Sequence, residues 1–116
     1  MKINIVSQKL EVTESLKKFI EDKFSSLARL ASALEKEGEL NVFVEVSRIT
    51  RHHKKGDVFY EEATAGVPGR TLRAEAISSD ARTAVNKARD VLRIEIQKYM
   101  GSRTNKPRKS ARAAEK

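Results

Sequence analysis

The chain contains no cysteine, which removes disulfides, thiolate nucleophiles and Cys-based zinc sites together. His, Asp and Glu are left as metal ligands, and there are only two histidines. Tryptophan is absent and aromatic residues make up 5% of the chain, too few for a broad platform on which bases could stack. The five glycines are dispersed as turn and cap residues, so no Gly-rich phosphate loop is present. No apolar run approaches the roughly 18 residues needed to cross a bilayer. The opening MKINIVSQKL turns polar too soon for a secretory signal, and the expected compartment is the reducing cytosol.

Charge is what the chain has in abundance: 34% of 116 residues are Asp, Glu, Lys or Arg, with a net +8. Residues 1 to 100 carry 18 basic against 15 acidic side chains, whereas residues 101 to 116 carry 6 against 1. This balance points to an anionic partner, nucleic acid ahead of membrane, because no strongly amphipathic basic helix with aromatic anchors is present. A basic tail that only aids solubility is the plainer alternative. A chain of this length forms one domain, burying about two-thirds of its unfolded surface.

Periodicity divides the chain cleanly. Ile3 and Ile5 alternate with Lys2, Asn4 and Val6, a first strand. Thr13 can cap a helix with Glu14 in its first turn. Leu16, Phe19, Ile20, Leu27, Leu30, Ala31 and Leu34 then form one apolar stripe, with Gly38 as a stop. LNVFVEVS turns Leu40, Val42, Val44 and Val46 one way and Asn41, Phe43, Glu45 and Ser47 the other. A strand through VFYEEATAGV follows the hairpin loop RITRHHKKGD. The turn VPGR leads to TLRAEAI, since Pro68 fixes φ and Gly69 can take φ > 0. Ser79 or Asp80 caps a last helix, with Ala81, Val85, Ala88, Leu92, Ile96 and Tyr99 facing inward. Gly101 is its expected end. The reading is an α+β fold in the order β-α-β-β-β-α: a four-stranded sheet with two helices on one face, over residues 1–100, and a disordered basic tail over 101–116.

Enzymatic chemistry finds little support. His52 and His53 are adjacent, so in an extended segment they point apart and do not converge on one ion. Asp57 and Glu61 can join them only through an unusual loop. No serine or threonine is accompanied by a signalled base and orienting group. The spacing therefore predicts no catalytic residue, metal or cofactor.

Phosphate chemistry is better served. Arg82, Arg89 and Arg93, with Asn86 and Gln97, fall at intervals of three and four and share a helix flank beside the core stripe. Guanidinium forks suit phosphate oxygens, although a solvated flank with Asp90 pairing locally reads equally well. Lys23 sits among Phe19, Ile20 and Leu27 and must snorkel from the first helix. In RITRHHKKGD the better phosphate contacts are Arg51, Lys54 and Lys55, and the histidines add charge as pH approaches about 6.5. Phe43 and Tyr60, on the outer sheet face, are the aromatic candidates for stacking.

MKINIVSQKLEVTESLKKFIEDKFSSL resembles the opening of the ribosome hibernation-promoting factors, also called the ribosome-associated inhibitor or sigma-54 modulation family. Thr13, Glu14, Leu16, Phe19, Lys23, Phe24 and Leu27 match its pattern of a short strand, a Thr-Glu-x-Leu helix start and a Lys-Phe pair. The VPGRTLRAEA hairpin and the Asp80 helix start extend the likeness over roughly residues 1 to 100. The resemblance implies a short-form protein that binds rRNA of the small ribosomal subunit in the channel used by mRNA and tRNA, and silences translation without catalysis or cofactor. It makes Lys23 an rRNA-facing residue. Arg82 stands where tyrosine is frequent and Val91 where lysine is common, so Arg89 and Arg93 supply charge from neighbouring positions. The tail residues Arg103, Lys106, Arg108, Lys109 and Arg112 are expected to thread along rRNA or the mRNA path. The competing reading is a general double-stranded RNA-binding or RNA-chaperone module. A metal enzyme built on His52 and His53 is a distant third.

Overall fold

The computed structural model describes residues 1–32, 40–50 and 57–115, without the side chains of Thr50, Asp57 and 103–115. Gly38, Arg51, His52, His53, Lys54 and Lys55 lie outside the described residues. Six elements follow in order: β1 (Lys2–Gln8), α1 (Glu14–Ser25), β2 (Asn41–Thr50), β3 (Asp57–Val67), β4 (Arg70–Ser78) and α2 (Ala81–Glu115). The strands form one mixed sheet in the order β1-β2-β3-β4. β1 lies parallel to β2, with Ile3 opposite Val42 and Ile5 opposite Val44. Parallel neighbours need a long crossover, and α1 lies within it. The remaining pairs are antiparallel.

Alternation places the core. Val42, Val44 and Val46 are wholly buried while Phe43, between them, is 55% exposed. Ala63, Ala65 and Ala74 on the same face join Val85, Ala88, Leu92 and Ile96 of α2 in one cluster, which Leu16, Ile20 and Phe24 of α1 complete. The buried alanines leave room for α2 to lie close across β3 and β4. Near the middle of α2 the Tyr99 hydroxyl donates a 2.7 Å hydrogen bond to the Pro68 carbonyl. This ties α2 to the β3–β4 turn, where Gly69 takes φ +88° as the third residue of a type II turn requires. Tyr99→Phe removes that donor and is expected to cost about 1 kcal/mol in urea unfolding.

Thr13 caps α1 as expected, its Oγ1 accepting from the Leu16 N–H at 3.1 Å. Thr13→Ala is expected to lower stability by about 1 kcal/mol, read as a shift in the unfolding midpoint. The helix ends at Ser25, and Leu34 and Gly38, the expected last residue of the stripe and its stop, lie outside the described residues. The Ser25 and Ser26 hydroxyls donate back to the Asp22 and Lys23 carbonyls at 3.1 and 2.5 Å, competing with the regular ladder. Hydrogen-bonded turns take over through Ala31 and still bury Leu27 and Ala31.

Other expectations need correction. The loop RITRHHKKGD is shorter than its ten letters, because β2 and β3 remain paired as far as Thr50 opposite Asp57, through Arg48–Phe59 and Ile49–Val58. Asp57 is therefore a strand residue, and Glu61, farther along the same strand, is wholly buried on the core face. α2 passes through Gly101 and runs to Glu115, where a helix stop at Gly101 was expected. An interior glycine costs a helix about 1 kcal/mol relative to alanine, which does not end one already anchored by Leu92, Ile96 and Tyr99. Among the described residues no helix is long and apolar enough to cross a membrane.

Candidate nucleic-acid interface

The two helices lie side by side on the sheet, and three cations of the folded body meet along their seam. Arg82, in the first turn of α2, donates from Nη2 to Ser15 Oγ of α1 at 2.8 Å. Its guanidinium carbon also lies 5.3 Å from the centre of the Phe19 ring. Lys23 approaches that ring as well, with Nζ 5.3 Å from its centre. Phe19 is half-buried, so Lys23 escapes the apolar stripe by lying along an aromatic face. One ring thus holds two like charges, one from each helix.

Farther along the seam, Arg89 Nη1 reaches Ser26 Oγ at 3.4 Å while its Nε pairs with Asp90 Oδ1 at 2.8 Å. The local pairing with Asp90 offsets part of the Arg89 charge. Asn86 lies between Arg82 and Arg89 on the helix, and its Oδ1 is buried without a hydrogen-bond partner among the described residues. Arg93 is exposed one turn beyond. The start of α2 is fixed by Asp80, whose Oδ2 accepts from the Thr83 N–H at 2.9 Å and hydroxyl at 2.8 Å. These two bonds hold the Asp80 carboxyl below the usual carboxylate range.

The outer sheet face is different in kind. Arg73 is held between Glu62 and Glu75 and donates to the Tyr60 hydroxyl, so its charge is already matched. Phe43 stands exposed, whereas Tyr60 is half-buried and engaged. The cleft between β1 and α1, about 520 Å³, is bordered by Glu14 and Glu21 with one lysine, Lys17. Its sign is wrong for phosphate. Among the described residues no group of three His, Asp or Glu side chains is placed to hold a metal.

The structure thus brings Lys23, Arg82 and Arg89 to one seam with Arg93 at its end. Arg51, Lys54 and Lys55 lie outside the described residues, as do the side chains of Arg103, Lys106, Arg108, Lys109 and Arg112. Sequence reasoning missed Ser15, Ser26 and the part played by Phe19. The signal was present in the intervals of four, four and three joining residues 15, 19, 23 and 26, which share one helix flank.

Residues 3–104 match the family model for the sigma 54 modulation protein / S30EA ribosomal protein. A ribosome hibernation promotion factor of Deinococcus radiodurans is 30% identical over 90 residues, covering 78% of this chain and 44% of the relative. One of Lactococcus lactis is 28% identical over 108 residues, 93% of this chain and 54% of the relative. The chain therefore spans about half the length of these curated relatives. The crystal structure of the Thermus thermophilus protein Y N-terminal domain superposes with TM-score 0.68 at 24% identity, over 85% of this chain and 99% of that domain. A ribosomal subunit interface protein from Coxiella burnetii gives 0.70 at 20% identity, over 87% of this chain and 99% of its own. Both share the fold. With nearly the whole folded body matched, the chain belongs to the sigma 54 modulation protein / S30EA ribosomal protein family.

Proposed function

We propose that the chain is a ribosome hibernation factor that binds rRNA of the small ribosomal subunit in the mRNA and tRNA channel and so silences translation in the cytoplasm. The observation that carries this reading is the Phe19 ring shared by Lys23 and Arg82, which sets cations from two rigid helices along one seam. Fixed cations neutralise a phosphate backbone at little ordering cost. The names of the two curated relatives favour a ribosomal target over free duplex. Nothing in the seam supplies a base oriented toward a nucleophile, and the reading needs no catalysis or cofactor. Arg89 and Arg93 extend the contact, with Arg51, Lys54 and Lys55 in the hairpin loop and Arg103, Lys106, Arg108, Lys109 and Arg112 in the C-terminal segment as further phosphate partners.

A general double-stranded RNA-binding module is the competing reading, and selectivity separates the two. The chain added to a translating extract is expected to arrest protein synthesis at stoichiometry with ribosomes, and an excess of plain RNA duplex is expected not to relieve the arrest. Relief by duplex would favour the general binder. Truncation after Gly101 is expected to weaken binding and flatten its salt dependence, because log affinity falls with log salt by about 0.7 to 0.9 per neutralised phosphate. An unchanged slope would remove the C-terminal segment from the interface.

A further inference from the structure

Glu61 is the one charged side chain among the described residues to be fully buried. Period-two alternation on β3 turns it to the core, with Val46 opposite on β2 and Ala76 opposite on β4. Neither carboxylate oxygen has a hydrogen-bond partner among the described residues. Among the described residues the groups around it offer no counter-charge. α1 contributes Leu16, Ile20 and Phe24 to the core, and α2 contributes Ala84, Val85, Ala88 and Leu92. The charged residues near the start of α2 are engaged or turned away: Asp80 with Thr83, Arg82 with Ser15 and Phe19, Arg89 with Asp90, and Lys87 exposed. On β4 the inward positions are Ala74, Ala76 and Ser78. On β2 the inward cation is Arg48, opposite Phe59 and exposed. On β3 the next acid toward the loop is Asp57, whose side chain is not described.

We propose that Glu61 is a proton-binding site built into the core, occupied in the folded chain and emptied at the expense of the fold. An ionised carboxylate in an apolar, unpaired setting is far costlier than the neutral acid. Burial alone pushes its carboxyl up to about 8. Below the ordinary glutamate range both folded and unfolded chains carry the proton, and stability is full. Between that range and about 8 the unfolded chain releases the proton and the folded chain keeps it. The folding equilibrium then falls by about tenfold per pH unit and levels off above. Acidification from neutrality tightens the fold, whether or not the chain binds ribosomes.

Urea unfolding of the full chain across roughly pH 5.5 to 7.5, for wild type and Glu61→Gln, tests this directly. The wild-type folding constant is expected to fall about 100-fold more than that of the variant over those two units. Every group other than residue 61 is common to both chains and cancels in the difference. Should Glu61→Gln fail to fold, carbon-detected NMR of the wild-type glutamate carboxyls decides alone, with the Glu61 resonance expected to move well above pH 6. Parallel pH curves for the two chains, or a Glu61 resonance titrating near the ordinary 4.5, would overturn the proposal.

Discussion

Reversing both charges on the Phe19 ring, Lys23→Glu with Arg82→Glu, is expected to weaken binding to small ribosomal subunits by at least about 100-fold. A hydrogen bond from a charged group contributes roughly 1.5 to 3 kcal/mol, and each 1.4 kcal/mol is about tenfold in affinity. Two lost contacts alone reach that figure, and repulsion from phosphate adds to it. The fold is expected to survive. Arg82 Nη2 loses its bond to an exposed Ser15 hydroxyl, and exposed cation–π contacts contribute about 0.5 to 1 kcal/mol each. Arg73→Gln is the matched control, because Glu62 and Glu75 already hold Arg73 on the opposite face of the sheet. Its affinity is expected to stay within about threefold, by the small worth of solvated, already paired surface charge. Equilibrium binding at fixed salt, with thermal unfolding of each variant alongside, checks both statements.

The neighbouring residue has the opposite character. Phe24 is wholly buried among Ile20, Leu27 and the β2 valines, so Phe24→Ala is expected to lower stability by about 3 to 5 kcal/mol. Against a typical total of about 5 to 15 kcal/mol, that is a large share of the stability. With urea m-values of about 1 to 3 kcal/mol/M, the midpoint should fall by about 2 M. Lys23→Ala, one position away, is expected to leave the midpoint almost unchanged while weakening ribosome binding. Residues 23 and 24 therefore divide the two roles of α1. A result in which both variants lost stability equally would place Lys23 in the core instead of at the seam.

Much of this architecture is legible because a half-buried strand cannot hide its alternation. Val42, Val44 and Val46 against Phe43 and Glu45 leave one register, and Val85, Ala88, Leu92 and Ile96 leave one face of α2 for the sheet. The failures have local causes. The expectation of one unbroken helix beyond Ser25 ignores two serine hydroxyls that turn back on the carbonyls three residues earlier, although Leu27 and Ala31 of the stripe are buried. Gly101 suggests a stop only where the backbone reverses, and here it does not. Glu61 falls on the inward parity between Phe59 and Ala63, but its charge obscures a position that spacing alone identifies. The seam was half visible. Arg82, Arg89 and Arg93 align by interval, whereas their meeting with Ser15, Phe19 and Ser26 depends on how two helices lie against each other, which no spacing within one helix contains.

The claim that these helices present their cations to the channel of the small subunit is tested most directly by competition. Co-sedimentation of the full chain with purified small subunits, with and without mRNA and tRNA already bound, should show stoichiometric pelleting with empty subunits and little with occupied ones. Affinity should fall with salt in proportion to the phosphates neutralised, while the preference for empty over occupied subunits persists at each salt concentration. Equal pelleting with empty subunits, occupied subunits and a plain RNA duplex, lost alike as salt rises, would contradict the account and leave the seam as a nonspecific basic surface.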